Sequence, residues 1–433
     1  MQDINKKDQM PITSIDLDMT KNCILRCTYC FKGEKHSDPL SYEVGTRAID
    51  FLIEESKDSK SINVSLFGGE PLMEFEMIKR IVNYGERRAA YFGKKIHFGV
   101  TTNMVLINDE IMDFWKRHKM GFNTSIDGAP ESHDKHRVFP NGKGSSKAAF
   151  KNVPRILEYR PETNARCTVS NDTAYRMYDD MIYLHETLGY KNLPMIPVPE
   201  CEWTEEQMNN LKREFRKISD YYIMSHRENK DVYIKHIDDA IKSIVKPERR
   251  KHHCGAGRGT LAVTVDGLLY PCHRFSGIDE DGRWLLGNIW DGIDREKRQE
   301  LLDLDANVHT KADCENCIAV HLCGIPCIAV NWVSNKDIYK PNPNACEFHK
   351  LEMIEGLRVH YILQSEGNEL FMKKFYPDKT KNGRGNNSGR VTNQNQKGKQ
   401  NNIVNVKGMG KNRDQRNETI KTYDKALLKC GGV

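Results

Sequence analysis

The sequence predicts an α/β fold: an open (β/α)6 barrel, a partial version of the eight-fold β/α barrel, followed by a cysteine-rich region. Three observations carry this expectation. Strand patterns alternate with helical patterns six times in the first half of the chain, and strands in such an alternation lie parallel with right-handed crossovers. The polar signatures of the sequence fall where those strands end, which is where β/α barrels place their chemistry. Seven cysteines then gather between Cys254 and Cys346, where periodicity fades and glycines and loops take over.

Each element has its own signal. SIDLDMT, over 14–20, alternates apolar and polar side chains, the mark of a strand with one buried face. A helix is predicted over 41–55, because Val44, Ala48, Phe51 and Leu52 fall on one helical face. SINVSLF at 61–67 is the second strand and runs into GGEP. A helix over 74–91, a strand over 96–103, a helix over 109–119 and a strand over 121–127 follow. The fifth and sixth strands are expected at 165–170 and 192–198, with helices at 175–188 and 204–225. The resulting layout is an N-terminal extension (1–13), the barrel (14–245), the cysteine-rich region (250–350), a C-terminal helix (351–374) and a basic tail (375–433). The tail is rich in Asn, Gly, Gln and Lys, and cannot bury enough apolar area to offset its ordering entropy. Disorder is expected there, with a short helix near 419–429.

Bulk properties exclude several classes. A chain of 433 residues buries a core without disulfides. No apolar run approaches the ~20 residues of a membrane span, and residues 1–20 lack the apolar core of a signal peptide. A cytoplasmic protein without a membrane partner is expected. Thirteen cysteines in a reducing compartment point to metal or catalysis, not to bridges. The net charge of +6 belongs to the tail: residues 373–421 hold 13 Lys/Arg against 3 Asp/Glu, which leaves −4 for the remainder. Such a tail would suit an acidic peptide. It has few aromatics for base stacking, so nucleic acid is not an expected partner.

The chemistry starts at NCILRCTYC, where Cys23, Cys27 and Cys30 have the spacing C-x3-C-x2-C. Three thiolates suit three irons of a 4Fe–4S cube, which four cysteines normally hold, and leave one iron for a small molecule. They also suit a zinc ion completed by a distant His. Gly68, Gly69, Glu70 and Pro71 close the second strand, and glycines there permit a close backbone approach. Thr101, Thr102 and Asn103 close the third, Ser125 and Asp127 the fourth, and Arg137 follows in HDKHR.

This ordered set resembles the radical S-adenosylmethionine (SAM) enzymes, whose fold is an open partial TIM barrel. The resemblance implies that the iron left open by Cys23, Cys27 and Cys30 chelates SAM. One electron from an external donor protein of flavodoxin or ferredoxin type then cleaves the sulfonium and gives a 5′-deoxyadenosyl radical. It further implies that Tyr29 (with Phe31 beside it) shields the site, that Gly68, Gly69, Glu70 and Pro71 approach the SAM amino group, and that Thr101, Thr102 and Asn103 lie on the ribose side. Ser125, Asp127 and Arg137 resemble the subset that includes anaerobic sulfatase maturases, in which the Ser and Arg would hold the SAM carboxylate.

The second cysteine region runs Cys254-x12-Gly267-x4-Cys272, then Cys314-x2-Cys317-x5-Cys323-x3-Cys327, then Cys346. A zinc ribbon is one reading of such pairs. The order resembles the SPASM domain, which carries two auxiliary 4Fe–4S clusters and would bring the cluster count to three. The resemblance implies a distal cluster on Cys314, Cys317, Cys323 and Cys346, and a proximal one on Cys254, Cys272 and Cys327. Thr260 stands where sulfatase maturases supply a fourth proximal cysteine, and Cys201 is a spare candidate for that place. His273 stands where those enzymes carry an Asp base. The YPCH sequence is more similar to maturases that form Cys thioether cross-links (sactipeptides and ranthipeptides) in ribosomally made precursor peptides. There an open auxiliary iron can hold the substrate thiolate, and His273 is the candidate proton acceptor. The implied activity is radical modification of a precursor peptide, with thioether formation ahead of carbon–carbon or ether cross-linking, epimerisation and sulfatase-type oxidation. Only 22 residues precede Cys23, too few for a leader-binding domain, so a separate recognition protein, the barrel surface or the tail would bind the leader.

Overall fold

The computed structural model describes residues 10–377 apart from 34, 247–253, 305–313, 315, 321 and 324–325. The predicted tail helix near 419–429 and Cys430 lie outside the described residues, as does the tail itself beyond 377. The chain divides into two units after Tyr376.

The six strand–helix units come in the predicted order. They are β1 (Ser14–Asp18) and α1 (Tyr42–Glu55), β2 (Ser61–Phe67) and α2 (Phe75–Tyr91), and β3 (Lys95–Thr102) and α3 (Asp109–His118). Then come β4 (Gly121–Ser125) with α4 (Pro130–His136) and α5 (Val153–Tyr159), and β5 (Asn164–Val169) with α6 (Met177–Ile182). The sixth strand is split into β6 (Asn192–Leu193) and β7 (Met195–Pro197) before α7 (Glu205–Arg227). The split falls at Pro194, which has no N–H to give a ladder; its carbonyl accepts from Cys167 N at 3.1 Å.

The sheet is parallel and stays open, with additions on both edges. β8 (Tyr233–Ile234), which leads into α8 (Lys235–Val245), pairs with β6. At the other edge β9 (Thr260–Val263) lies parallel to β1, with Ser14 opposite Thr260, and β10 (Leu269–Tyr270) runs antiparallel outside it. The cysteine-rich region therefore shares a sheet with the barrel.

Alternation along the strands sorts the side chains. Ile15, Leu17, Val64, Leu66, Val100 and Ala165 are almost fully buried under the helices. The opposite face carries Asp16, Ser65, Thr101, Asn123, Ser125 and Thr168, all half-buried. A closed eight-fold barrel fills its interior with branched apolar side chains. Here that interior is polar and open to solvent.

Helix ends follow local chemistry. Ser41 Oγ accepts from Val44 N at 3.1 Å at the start of α1, and Thr204 with Gln207 forms a reciprocal capping box at α7. Two predicted helices differ from their expectation. The pattern at 175–188 folds as a 3-10 turn (Ala174–Arg176), α6 and a π-helical turn (Tyr183–Thr187). Beyond the barrel lie α9 (Arg295–Asp303) and α10 (Ile328–Asn335). The expected helix at 351–374 is two helices, α11 (Pro343–Ser365) and α12 (Glu369–Phe375), broken at Gly367, whose φ is +64°. Asn342 caps α11 by accepting from Ala345 N at 3.0 Å, and Pro343 opens its first turn, where Cys346 sits. Among the described residues no helix is long and apolar enough to cross a membrane.

One buried cation locks the region after β8 to the barrel edge. Arg298 on α9 is fully buried; its Nε donates to Gly257 O at 3.0 Å, and its Nη2 to Arg258 O at 2.6 Å and to Met10 O at 2.9 Å. Arg298→Met strands these carbonyls away from water and is expected to lower the unfolding free energy by roughly 2–4 kcal/mol. Arg283→Met, which removes the exposed pair with Glu300 and a guanidinium 4.5 Å from the Trp284 ring, is expected to cost about 1 kcal/mol. Urea unfolding of both variants under anaerobic conditions checks the difference.

Candidate active site

The loop holding Cys23, Cys27 and Cys30 has no strand or helix of its own and is clamped from two sides. On one side Met19 N donates to Phe67 O at 2.9 Å, Gly69 N to Thr20 O at 2.8 Å and Glu70 N to Asn22 O at 2.9 Å. On the other, Arg26 N donates to Val138 O at 2.7 Å and Thr28 N to His136 O at 3.1 Å. Thr28 Oγ1 is also hydrogen-bonded to His136 Nδ1 at 2.7 Å. Within the loop, Cys30 N donates to Cys27 O at 3.1 Å, and Lys35 Nζ to Cys30 Sγ at 3.0 Å.

The two glycines sit where the end of β2 meets the backbone of the cysteine loop. Gly68 has φ +116°, and a Cβ on it would meet Thr20 O at 2.5 Å; a Cβ on Gly69 would meet Asn22 O at 1.8 Å. The close approach is to the cysteine loop's own backbone. Glu70 is buried and committed in the same way: it accepts from Leu72 N at 3.2 Å, Thr102 Oγ1 at 2.7 Å and Asn103 N at 2.8 Å. Burial pushes its pKa up to about 7 against the pull of those donors. The carboxylate thus ties the end of β2 to the end of β3. Asn103 in turn brings its Nδ2 to 3.8 Å from Cys23 Sγ.

Across the lumen, Asp127 and Arg137 form a buried bidentate pair, Nε–Oδ2 2.9 Å and Nη2–Oδ1 3.0 Å. Tyr29 donates its hydroxyl to the same Asp127 carboxylate, and Thr168 N donates to it at 2.9 Å. The Arg137 guanidinium lies over the Tyr29 ring at 5.4 Å. Tyr29 therefore staples the cysteine loop to the end of β4. Ser125, half-buried, faces the lumen beside them, as does Thr101 at the end of β3.

The predicted auxiliary ligands also draw together. Cys254, Cys272 and Cys327 lie close enough for Cys327 to raise the pKa of both others, and burial pushes Cys272 up to about 12. Cys346 is influenced by Cys314 and Cys317, and Cys323 sits on the same loop with its N–H on Ala319 O at 2.8 Å. Thr260 lies over Gly255, next to Cys254: a Cβ there would be 3.1 Å from Thr260 Oγ1. Cys201 is placed elsewhere; the groups acting on its thiol are Asn171, Glu200 and Asp172.

His273 occupies the seam between the two sets. Its ring packs on Phe67 at 4.3 Å and Phe31 at 5.8 Å, and its Nδ1 is 2.7 Å from Asp16 Oδ2. Asp16 escaped the sequence reading, because its partner lies 257 positions away and nothing local marks it beyond a polar residue on a strand. Next to it, Asp18 pairs with Lys32 at 2.6 Å.

Each cysteine set suits a sulfur-ligated iron cluster. Burial makes the thiols costly to ionise alone, the Cys23 thiol being pushed up to about 12, and a bound metal group reverses that because coordinated thiols are deprotonated. Among the described residues no three His, Cys, Asp or Glu side chains close on a point as a single ion requires. A cube that takes one thiolate per iron asks for wider spacing. The clamp makes a sharp prediction. Gly69→Ala is expected to cost roughly 3 kcal/mol or more and to lower iron incorporation. Gly93→Ala, at φ +65° with open space around it, should cost about 1 kcal/mol and leave iron unchanged. Thermal unfolding and iron content of the two reconstituted proteins check this.

Comparisons with known proteins agree with this geometry. The radical SAM superfamily model matches residues 17–173. The cysteine-type anaerobic sulfatase-maturating enzyme of Clostridium novyi is 25% identical over 332 residues, 71% of this chain and 85% of that protein. The radical SAM cyclopropyl synthase TigE of Paramaledivibacter caminithermalis is 20% identical over 359 residues, 78% of this chain and 73% of that one. Among solved structures, anSMEcpe with bound AdoMet and the Cp18Cys peptide shares the fold, with TM-score 0.68 at 20% identity over 82% of this chain and 99% of that chain. Residues 17–173, which carry Cys23, Cys27 and Cys30 and both segments that clamp their loop, are a radical SAM domain.

Proposed function

We propose that this radical SAM protein is a peptide maturase that forms Cys thioether cross-links in a ribosomally made precursor. The observation that carries the reading is that Cys254, Cys272 and Cys327 draw together, while Thr260, the position to which the resemblance assigns a fourth thiol, lies against Gly255 next to Cys254. In this reading Cys23, Cys27 and Cys30 hold one 4Fe–4S cluster. The trio holds a second with one iron open, and Cys314, Cys317, Cys323 and Cys346 hold a third. Bound there, these groups and SAM supply a hydrogen-abstracting radical, a place for a substrate thiolate and a sink for one electron.

The chain's own residues do the rest. Gly68, Gly69, Glu70 and Pro71 form one wall of the SAM pocket, with Thr101, Thr102 and Asn103 along the next strand end. Ser125, Tyr29, Asp127 and Arg137 form the other wall. The balance of the reaction is one C–H and one S–H lost and one C–S gained. The hydrogen atom leaves with deoxyadenosine and the thiol proton goes to a base. His273 suits that role, since Asp16 holds its Nδ1 at 2.7 Å and leaves proton transfer to Nε2. The partners of this reading are the precursor peptide, a flavodoxin- or ferredoxin-type electron donor and a separate leader-recognition protein, in a reducing cytoplasm. One observation favours a second reading, sulfatase-type oxidation: Asp16 brings a carboxylate to His273, which stands where those maturases carry their Asp base.

Two measurements test the proposal. Reconstituted protein is expected to hold about 12 iron atoms and, with SAM, reductant and its cognate Cys-containing peptide, to release 5′-deoxyadenosine and a product whose cross-linked cysteines resist alkylation. Products whose cysteines all alkylate would sink the thioether reading. Thr260→Cys is expected to leave SAM cleavage and iron content in place while abolishing the cross-link, because a fourth thiolate would take the open iron. Cross-linking at the wild-type rate by this variant would remove the open iron from the mechanism.

A further inference from the structure

The HDKHR stretch holds more than Arg137. Its first residue, His133, is a buried hub. The backbone N–H of Asp127 can only donate, so His133 Nδ1, 3.4 Å away, accepts from it. Nε2 then carries the proton and faces Ser145 Oγ at 3.1 Å, and that hydroxyl donates to Arg137 O at 2.7 Å. Arg137 N in turn donates to His133 O at 2.8 Å. Burial agrees with a neutral ring, pushing its pKa down to about 4. One imidazole therefore sets the backbones of both Asp127 and Arg137.

The hub has an anchor of its own. It rides on α4, a short helix whose N-cap, Ala129, has no side chain that can accept a hydrogen bond. Asp180 on α6 supplies the acceptors instead. Its Oδ1 accepts from Ala129 N at 3.0 Å and its Oδ2 from Ser132 Oγ at 2.6 Å. The fit is tight: Gly128 has φ +119°, and a Cβ on it would meet Asp180 Cβ and Cγ at 2.4 Å. Asp180, Ala129, Ser132 and Ser145 are all buried.

This anchor holds the far clamp of the cysteine loop. His136 at the end of α4 accepts from Thr28 N, and Val138 O, two residues on, accepts from Arg26 N. Before the helix, Asp127 receives the Tyr29 hydroxyl. One short segment thus grips the loop at Arg26, Thr28 and Tyr29. The geometry points to Asp180 as a positioning residue of the radical SAM site, which sets Tyr29, Asp127 and Arg137 in place through α4 and His133. This rests on the SAM pocket proposed above, of which those three residues form one wall.

The role depends on charge. Burial pushes the Asp180 pKa up to about 6 against the pull of Ser132, Ala129 N and Arg176. Asp127 adds to the rise, and the charge of Asp180 reaches the buried Cys167 thiol on β5. A neutral acid accepts more weakly than a carboxylate, so the anchor slackens as pH falls through that value. Asparagine copies the shape of the neutral acid. Glu70, on the opposite clamp, titrates nearby, and a ratio of variant to wild type cancels its contribution.

The test measures SAM dissociation constants by anaerobic equilibrium dialysis on reconstituted full-length wild type, Asp180→Asn, Ser132→Ala and Asp238→Asn, each normalised to iron content. Asp238 is a matched control, a fully buried carboxylate that accepts from Ile234 N at 3.0 Å at the start of α8. Near neutral pH, Asp180→Asn should weaken SAM binding roughly 10-fold and Ser132→Ala about 3-fold. Asp238→Asn should bind SAM as wild type does. The Asn penalty should fade on acidification with a midpoint of about 6, because wild type then carries the neutral acid as well. Ser132→Ala carries the test if the Asn variant does not fold. The inference is overturned if both α4 variants bind SAM as tightly as wild type, if Asp238→Asn loses as much as they do, or if the Asn penalty does not change with pH. Wild type that fails to bind SAM would overturn the SAM reading itself, and this inference with it.

Discussion

A loop without a ladder of its own has to hold three thiols in a fixed triangle, and the clamp on that loop governs much of the barrel mouth. The turn after β2 supplies two backbone hydrogen bonds to Thr20 and Asn22 from one side, and the 136–138 segment supplies two from the other. Such bonds need backbones in contact, which is why Gly68 and Gly69 can bear no side chain. The buried charges serve the same end. Glu70 fixes the turn to β3, and Asp127 with Arg137 fixes Tyr29 and hence the far end of the loop. Buried ions of this kind add little net stability. Their effect is to make one arrangement of the mouth much better than its neighbours.

The lumen follows from the same economy of faces. The apolar side chains of β1 to β5 point outward except Phe67 at the end of β2, so the helices bury one face of the sheet and the other is left largely polar. An open sheet with a polar face tolerates water, and it holds a polar ligand against many hydrogen-bonding groups at once. Extending the sheet with β9 brings the cysteine-rich region to the barrel wall. Phe31, one residue beyond Cys30, packs beside Phe67 and His273, so the two cysteine sets meet across a single aromatic cluster. A Cβ on Gly277 would strike Phe31 O at 2.8 Å, which shows how tight that seam is.

The six units were legible because alternation and helical spacing are local signals, and the boundaries agree to within a few residues. The departures have physical causes. Pro194 divides the sixth strand, a distinction that apolar periodicity does not draw. The start of α11 was readable from Asn342 and Pro343, a cap and a first-turn proline, but the long gap in periodicity before it hid the signal. Site residues divide the same way. The cysteines and the GGEP turn stand out by spacing. The pairing of Asp127 with Arg137 and of His273 with Asp16 depends on which strands lie side by side, and no single stretch of sequence records that. The two glycines add a role that spacing does not show: they make room for the chain itself.

The residue that stands against Gly255, beside Cys254, is set by covalent sequence and not by conformation. Thr260 begins β9 and is held opposite Ser14 by the ladder. The preceding turn is fixed as well, since Thr260 N donates to Gly255 O at 3.1 Å and Gly257 N to Thr260 O at 3.0 Å and Pro271 O at 2.9 Å. A register slip that brought another side chain to this point would turn every residue of β9 over, placing Leu261 and Val263 in the lumen. Cys201 has little freedom to move in, because Asn344 Nδ2 donates to its carbonyl at 3.2 Å and to that of Pro199 at 3.0 Å. Thr260 is therefore a fixed feature of the folded barrel edge, as rigid as the strand that carries it.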